Sequence, residues 1–564
     1  MAVLGGLALA AACSSDSSSG PPPGACGAHG TDLTLAVGAY QSIDPATDSG
    51  CVNFPKNASA TDSAEYLVLP WSAAGTPNQS APFSLASATQ GVTMSPPQLA
   101  QLASFARSSH GVAAVSFDRF LRTMARSRSY PLTGFAPQAS ASTAPPASTT
   151  AGPPAVGSTR TFKVCANFTC SPPFATVGAK ALSVGQHIAI YVDTTAPSPG
   201  LSTTDLDSLK NVFDSRLYPL DIAAFGQPSD IDSNTVTIVL MTGVVNKLVS
   251  KSRCHTDGYI AGFFFSGDVD PDVSGQYNNG EIFYSIVADR DSTLSCAHPP
   301  AEVLSTTPVT FTHEFQHMIN FVQHVRVKGG NPDEGWLDEG ISKYAEEIAG
   351  RSYLVQGDTA SFSRYAIGAV YDAGQYLLDP GSSPLLIPVD TGTLAEVGAS
   401  WLFVRYIVDQ FGNVQGSDGR GDALTNKLVQ TGLTGSANVA TQTAQPFDQT
   451  VSRWALANFV DSIPWVPTFT APAELKYKVW HFHRTFASLN SQDPADFPHP
   501  YPLIPQLSAG SAVNVTGTLR SGSGDYVRAV QAPNGAAFTL RFGGSGNAQV
   551  SAAVVPRLIV LRIR

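Results

Sequence analysis

Two histidines four residues apart, His313 and His317, are the side chains of this sequence best suited to binding a metal ion, and Glu314 follows the first of them. On a helix, residues four apart project from the same face, so both imidazoles can reach one ion while the glutamate reaches a water molecule bound to it. The spacing therefore predicts a zinc site (one Zn²⁺) in which Glu314 is the general base.

A zinc site that performs hydrolysis needs three protein ligands and one open position. Glu339 is the predicted third ligand, because it begins a second amphipathic stretch in which Ile341, Tyr344 and Ile348 recur at helical spacing. A helix folding back across the first would bring this carboxylate to His313 and His317. Glu334 and Glu347, in contrast, are predicted to lie on solvated helix faces.

The zinc-binding helix is predicted to begin at Thr307 and Pro308, which have the types preferred at an N-cap and a first helical position. The glycine pair at positions 329 and 330 is predicted to end it. Apolar residues recur on one side of the stretch between these limits, which predicts that this side is buried.

Further groups should orient the ligands and stabilise developing charge. A metal-bound imidazole normally donates its second N–H to a carboxylate or carbonyl, and Glu346, two turns beyond Glu339, is the predicted acceptor. An ordinary surface glutamate is the alternative. A hydrolytic site also needs a hydrogen-bond donor for an oxyanion, and the sequence leaves five candidates open. They are Tyr344, Tyr365, Tyr371, Tyr376 and His324.

Two segments carry a resemblance to a known family. Residues 313–321 (HEFQHMINF) and 336–346 (WLDEGISKYAE) resemble the hyicolysin family of secreted bacterial metallopeptidases, within the gluzincin group, whose third ligand is a glutamate. The resemblance is sharp over about residues 258–350. It implies zinc, an endopeptidase activity on protein or peptide substrates, and a zincin catalytic fold. The additional signatures of thermolysin and of the aminopeptidase branch do not occur.

Composition indicates an exported, β-rich protein of two to four domains. Only 13% of the 564 residues are charged, and there are 49 glycines and 41 prolines. The net charge of −10 argues against nucleic acid as a partner, because phosphates would remain unneutralised. The oligomeric state does not follow from the sequence.

The seven cysteines add evidence on location. Cys13 follows an apolar run, and residues 1–13 resemble a lipoprotein signal in which this cysteine is lipidated. Cleavage by ordinary signal peptidase after Ala12 is the alternative. Both predict export, either anchored by lipid to the cell envelope, at the outer membrane, or secreted. The other six cysteines are expected to pair by proximity in the sequence, as Cys26–Cys51, Cys165–Cys170 and Cys254–Cys296.

The predicted fold class is α+β. A zincin-type catalytic domain at residues 161–500, with a β-sheet lobe and a helical lobe, is expected between two all-β, sandwich-like domains at residues 26–135 and 505–564. A helix around residues 116–126 should close the first of these. Residues 14–25 are a predicted tether and residues 136–160 a linker rich in Pro, Ser, Thr and Ala.

Two features of the predicted sheet lobe have competing interpretations. Residues 281–287 are a candidate edge strand to which an extended substrate could add, or an interior strand. Asp268, Asp270 and Asp272 alternate as in a calcium loop, so Ca²⁺ is conceivable, but the glycine and glutamate of an EF-hand are missing and a solvated turn is favoured.

The motif leads to two hypotheses of different class. The first is a zinc metalloendopeptidase in which Glu314 activates water. The alternative is a surface adhesion or binding lipoprotein with a structural or silent zinc site, suggested by the terminal β regions. A structural zinc would need a fourth ligand, and the stretch around the motif contains no cysteine to supply it.

Overall fold

The computed structural model describes residues 26, 30–88, 111–131, 152–387, 393–461 and 463–564. Cys13, the predicted signal and tether at residues 1–25, and residues 136–151 of the predicted linker lie outside these ranges. The strands, numbered along the chain, are β1 (Thr31–Asp32), β2 (Tyr40–Ile43), β3 (Cys51–Phe54), β4 (Ala64–Ser72), β5 (Ser80–Ser87), β6 (Thr159–Val164), β7 (Ala175–Val184), β8 (Ile188–Asp193), β9 (Thr237–Met241), β10 (Gly262–Phe264), β11 (Ile282–Ser285), β12 (Gln506–Ala509), β13 (Asn514–Arg520), β14 (Val527–Gln531), β15 (Phe538–Gly543) and β16 (Pro556–Arg562).

Most of the helices follow the strands of the central region in the sequence, where a helical lobe was predicted. They are α1 (Val112–Ser127), α2 (Thr203–Val212), α3 (Tyr218–Phe225), α4 (Gly243–Asn246), α5 (Cys254–Asp257), α6 (Pro300–Phe321), α7 (Gly335–Leu354), α8 (Thr359–Leu378), α9 (Leu394–Phe411), α10 (Asp422–Val429), α11 (Gly435–Thr443), α12 (Phe447–Val460) and α13 (Phe482–Gln492). None of the helices in the described ranges is long and apolar enough to span a membrane.

The strands at the two ends of the chain form one β-sandwich. One sheet has the order β1-β3-β15-β5-β13 and the other the order β12-β14-β4-β16-β2. Apolar side chains from both ends, including Val68, Leu85, Leu540 and Val560, share the core between them. The expectation of two separate β domains is therefore wrong. The alternation of apolar residues shows where strands occur and which face each strand buries. It does not show which strands pair with one another, and this is why the expectation failed.

The central region contains a six-stranded sheet of order β10-β11-β9-β8-β7-β6. β8, β9 and β11 run parallel, whereas β10 pairs antiparallel with β11 at the edge. Residues 281–287 thus supply an interior strand, and the edge-strand interpretation of them is wrong. The two edges of the sheet are β10 and β6, and β10 has only three residues.

Helix α6 crosses this sheet and carries the metal-binding motif. It packs through Phe311 on Phe283 and through Phe315 on Phe213, with ring centroids 5.1 and 5.2 Å apart. The helix begins at Pro300, so the predicted start at Thr307 is wrong, and Pro308 lies inside the helix. The chain leaves helical geometry by Gly329, where φ is +62°, in agreement with the predicted end.

Helix α7 lies across α6 and close to α9. A Cβ at Gly340 would be 2.7 Å from the Ser400 carbonyl oxygen, so the two helix backbones approach more closely than any other residue type would allow. Glu347 of α7 is fully buried and accepts hydrogen bonds from Trp401, Trp480 and Arg351. The predicted solvated face is therefore wrong for Glu347, because α9 and residues near α13 cover it.

Helix α1 packs on the central region. The ring of Phe117 contacts that of Phe263 on β10, with centroids 5.1 Å apart. The residues after α1 continue the contact, since Arg128 and Tyr130 both donate hydrogen bonds to Asp270. The sequence predicted this helix correctly, but the expectation that it closes the β-sandwich is wrong.

The three disulfides are those that proximity in the sequence predicts: Cys26–Cys51, Cys165–Cys170 and Cys254–Cys296. The three aspartates of the possible calcium loop bind protein groups. Asp268 is buried and accepts from Tyr284 and Asn278, while Asp270 and Asp272 pair with Arg128. This arrangement supports neither a calcium site nor a solvated turn at Asp268.

Candidate metal centre

Helices α6 and α7 bring the three predicted ligands together. The Nε2 atoms of His313 and His317 are 3.1 Å apart, and the Glu339 carboxylate oxygens lie 3.6 and 3.5 Å from them, respectively. All three side chains are buried. Burial alone would raise the pKa of Glu339, but the imidazoles of His317 and His313 outweigh it and hold that pKa well below its usual value.

This donor set fits a metal ion. Two ring nitrogens facing each other across 3.1 Å cannot both donate, and Glu339 Oε1 is buried without a hydrogen-bond partner in the described part of the chain. A cation among the three groups would satisfy all of them at once. Two imidazoles and one carboxylate match the ligand set of catalytic zinc.

The outer nitrogen of each imidazole is held by its own carboxylate. His313 Nδ1 lies 2.7 Å from Glu346, as predicted, and Lys343 lies 3.2 Å from the same carboxylate. His317 Nδ1 lies 3.1 Å from Asp338 and 3.0 Å from the Ser342 hydroxyl. These contacts fix both rings with Nε2 directed at Glu339. Asp338 was not predicted from the sequence, since neighbouring helix positions point about 100° apart.

Glu314 links the metal centre to the edge of the sheet. Its Oε2 accepts a hydrogen bond of 2.8 Å from the backbone N–H of Phe264 on β10. The side chain is buried and lines the same cavity as His313 and Glu339. The bond fixes the orientation of the Glu314 carboxylate beside the edge strand.

A cavity of about 1050 Å³ opens beside the candidate ligands, and His313, Glu314 and Glu339 line it. Its walls come from residues 76–79 of the sandwich and from helices α1, α6, α7 and α8. This volume is at the upper end of the range typical of ligand-binding pockets. The β-sandwich thus contributes directly to the wall of the site.

The five candidates for the oxyanion donor differ in whether they line this cavity. Tyr371 and Tyr365 line it. Tyr344 instead lies fully buried, where its hydroxyl accepts from the Gly421 N–H, and the Tyr376 ring stacks on Trp454. His324 faces Asp333, and burial lowers its pKa to about 4. These three candidates serve packing because each lies on the core side of its helix.

Helix α1 also supplies charged groups to this cavity, and these were not predicted from the sequence. Arg122 donates a 3.1 Å hydrogen bond to the Phe264 carbonyl and lies 3.6 Å from the Asp338 carboxylate. Asp118 lines the cavity one turn earlier. Burial, with the nearby carboxylates of Glu314 and Glu339, raises its pKa to about 8. The available signal in the sequence was the spacing of Asp118 and Arg122, which are four residues apart. This spacing does not show which surface of the protein the two side chains face.

Two other groups of metal-binding residue types occur in the described part of the chain. In the first, Cys254 and Cys296 form a disulfide, so neither sulfur is available beside His255. In the second, Asp232 is paired with Arg160 and Glu281 accepts from Ile231. Neither group offers a set of unpaired ligands comparable to the α6–α7 site.

Part of the chain is similar to a known metalloprotease. No family model matches the chain. A stretch of 141 residues is 33% identical to the neutral metalloprotease ShpI of Staphylococcus hyicus, and the match covers 24% of this chain and 29% of that protein. The chain therefore spans less than a third of that relative's length in the match, and the similarity, together with the buried ligand set, supports assignment to a metallopeptidase family.

Proposed function

We propose that this protein is an exported zinc metalloendopeptidase of the hyicolysin-like, gluzincin type, with a zincin catalytic fold. The observation that carries the proposal is the convergence of His313, His317 and Glu339, at a cavity that His313, Glu314 and Glu339 line. Three disulfides are consistent with an oxidising compartment, as expected of an exported chain. Lipidation at Cys13 belongs to the same proposal.

The chemistry follows from the positions of the side chains. A zinc ion held by the three ligands supplies a Lewis acid and lowers the pKa of water to about 7. Glu314 accepts the proton of the attacking water and then delivers it to the departing amine. Its bond to Phe264 keeps the carboxylate at the height of the edge strand, where the scissile carbonyl of a bound peptide would lie.

Strand β10 is the proposed binding surface for the substrate backbone. It lies at the edge of the sheet and is joined to Glu314. An extended peptide can add to such an edge through main-chain hydrogen bonds, with its side chains entering the cavity. Binding through the main chain along a strand does not require a chain terminus, which favours endopeptidase over exopeptidase action.

Tyr371 is the proposed donor to the oxyanion, because it lines the cavity and is half-buried on α8. Tyr371→Phe should lower kcat by about 10²-fold with little change in metal content, as expected for one lost oxyanion donor. Tyr376→Phe is the matched control, because that ring lies in the core. An equal loss of kcat in both variants would exclude this assignment.

The decisive experiment compares Glu314→Gln with Glu302→Gln. Both glutamates lie on α6, but Glu302 is exposed near its N-terminal end. One zinc per chain is expected in both proteins. Cleavage of internally quenched peptides, with products identified by mass spectrometry, should fall by 10²-fold or more only in Glu314→Gln. A protein that binds zinc but cleaves peptides equally well with and without Glu314 contradicts the proposal.

A further inference from the structure

Both backbone polar groups of Phe264 on β10 are bound by side chains from two different helices. In the antiparallel ladder with β11, the N–H of Ile286 donates to the Ala261 carbonyl, so alternate residues of β10 face β11 and the residues between them face the free edge. Phe264 belongs to the second set. At the free edge its N–H donates to Glu314 on α6, and its carbonyl accepts from Arg122 on α1. Phe264 therefore joins the proposed general base to Arg122.

The Arg122 guanidinium also reaches the metal centre. Its Nη1 lies 3.6 Å from Asp338 Oδ2, and the other oxygen of that carboxylate lies 3.1 Å from Nδ1 of His317. Arginine carries its donors in a rigid planar fork, so one side chain can hold two partners in a fixed relation. Arg122 uses Nη2 for the Phe264 carbonyl and Nη1 for Asp338. One side chain of α1 thus contacts both the partner of Glu314 and the partner of His317.

Arg122 is buried and keeps its charge at this position. Only 7% of the residue is exposed. Burial alone would lower the pKa of Arg122, but the carboxylates around it outweigh burial and raise that pKa above its ordinary value. These carboxylates belong to Asp338, Glu339, Asp118 and Glu314. Removing one partner from such a buried group of charges is costly, so the charges hold one another in place.

We propose that Arg122 is a positioning residue of the proposed reaction, acting through Phe264 on Glu314 and through Asp338 on His317. The inference rests on the proposed function, since it requires a metal ion at His317 and a general base at Glu314. The two contacts of Arg122 fix the place of the base relative to one ligand, and transfer of a proton from the attacking water depends on that geometry. Helix α1 therefore belongs to the catalytic unit, although it precedes the predicted linker in the sequence.

A covering role for α1 predicts the opposite result. Arg122 occupies the Phe264 carbonyl, so α1 could instead keep a peptide off this edge, and removal of Arg122 would then raise cleavage. Gly262 favours the positioning role. It faces the free edge as Phe264 does, and it lines the cavity, so a peptide can pair with β10 while Arg122 stays in place.

The first experiment uses the full chain loaded with zinc and compares Arg122→Gln and Arg122→Lys with Arg128→Gln. Arg128 is the matched control, because it follows α1 and fastens it to Asp270 and Asp272 rather than to the metal centre. Arg122→Gln should lower kcat for internally quenched peptides by about 10- to 100-fold and leave KM within about twofold of wild type. Arg122→Lys keeps the charge but not the planar fork, and should recover only part of the loss. Arg128→Gln should retain the wild-type kcat.

Two kinetic results overturn the proposal. An unchanged or higher kcat in Arg122→Gln would show that the reaction does not need this side chain, and an increase is what a covering helix predicts. An equal loss in Arg122→Gln and Arg128→Gln would show that attachment of α1 matters rather than the two contacts of Arg122. Circular dichroism shows which variants are folded. If Arg122→Gln is not, Arg122→Lys takes its place and should still lower kcat without changing KM.

The second experiment replaces zinc by Co²⁺ and does not depend on cleavage. The visible absorption of bound cobalt responds to the position of its ligands, so Arg122→Gln should change this spectrum through Asp338 and His317. In an Asp338→Asn chain the link is already broken, and adding Arg122→Gln should cause little further change. Identical spectra of wild type and Arg122→Gln at equal cobalt content overturn the proposal. A wild-type chain that binds cobalt but cleaves no peptide when loaded with zinc refutes the proposed function instead, and the cobalt comparison then still decides whether Arg122 positions the ligand.

Discussion

Replacement of Glu346 by glutamine tests whether the outer carboxylates tune the metal centre. Glu346 is buried, and its Oε1 lies 2.7 Å from His313 Nδ1 and 3.2 Å from the Lys343 ammonium. Glutamine keeps the shape and one acceptor oxygen but removes the negative charge. The imidazole then loses a charge-assisted hydrogen bond and keeps a neutral one.

The expected magnitude follows from these contacts. A charge-assisted hydrogen bond is about twice as strong as a neutral one, so the change removes roughly 1–2 kcal/mol of support for His313 as a ligand. Loss of a carboxylate behind a metal-bound histidine typically costs 10- to 100-fold in metal affinity. Lys343 retains Asp372 at 3.7 Å, so its charge is not left without a carboxylate. The predicted weakening of zinc binding is therefore about 10- to 100-fold.

Zinc affinity is measured by competition with a chromophoric chelator, for wild type, Glu346→Gln and Glu302→Gln. The last variant makes the same chemical change at an exposed position of α6 and should retain the wild-type affinity. Thermal unfolding of the three metal-free proteins shows whether the fold is intact. Wild-type zinc affinity in a folded Glu346→Gln protein would refute the view that this carboxylate supports the ligand.

Three further predictions concern stability. Burial raises the pKa of Asp268 from 3.8 to about 6, so between these pH values the folded protein binds a proton that the unfolded chain does not. The contribution of this group to the free energy of unfolding therefore falls by up to about 3 kcal/mol as the pH rises through that range. Asp268→Asn should flatten the pH dependence of urea unfolding. Removing the Cys254–Cys296 disulfide by double serine substitution frees a loop with a sequence separation of 42 and should cost about 4 kcal/mol, seen as a lower Tm. Glu347→Ala leaves the fully buried Arg405 short of one counter-charge and should cost about 3 kcal/mol in urea unfolding, whereas an unchanged midpoint would contradict the buried network.

The geometry of the candidate metal site could largely be predicted from the sequence because the information for it is local. His313 and His317 are related by one helical turn, and Glu339 and Glu346 by two turns, so helix periodicity alone places each pair on one face. Glu347 shows the limit of such reasoning. Its exposure depends on α9 and on Trp480, far away in the sequence, and no local pattern reports them.

The fold was less predictable for the same reason. The strands of the sandwich were recognised at both ends of the chain, but the pairing of β5 with β13 joins residues more than 400 positions apart. Likewise, the helix at residues 116–126 was recognised, whereas its contact with Phe263 was not. Local pattern specifies elements, and long-range packing decides which surfaces they cover.

The shared sandwich determines what a backbone cut between α1 and β6 would do. The cut would leave β3, β4 and β5 hydrogen-bonded to β13, β14, β15 and β16, so the N-terminal fragment should remain bound. The cleaved protein should therefore still migrate as one species in gel filtration, because its two fragments can separate only if both sheets come apart.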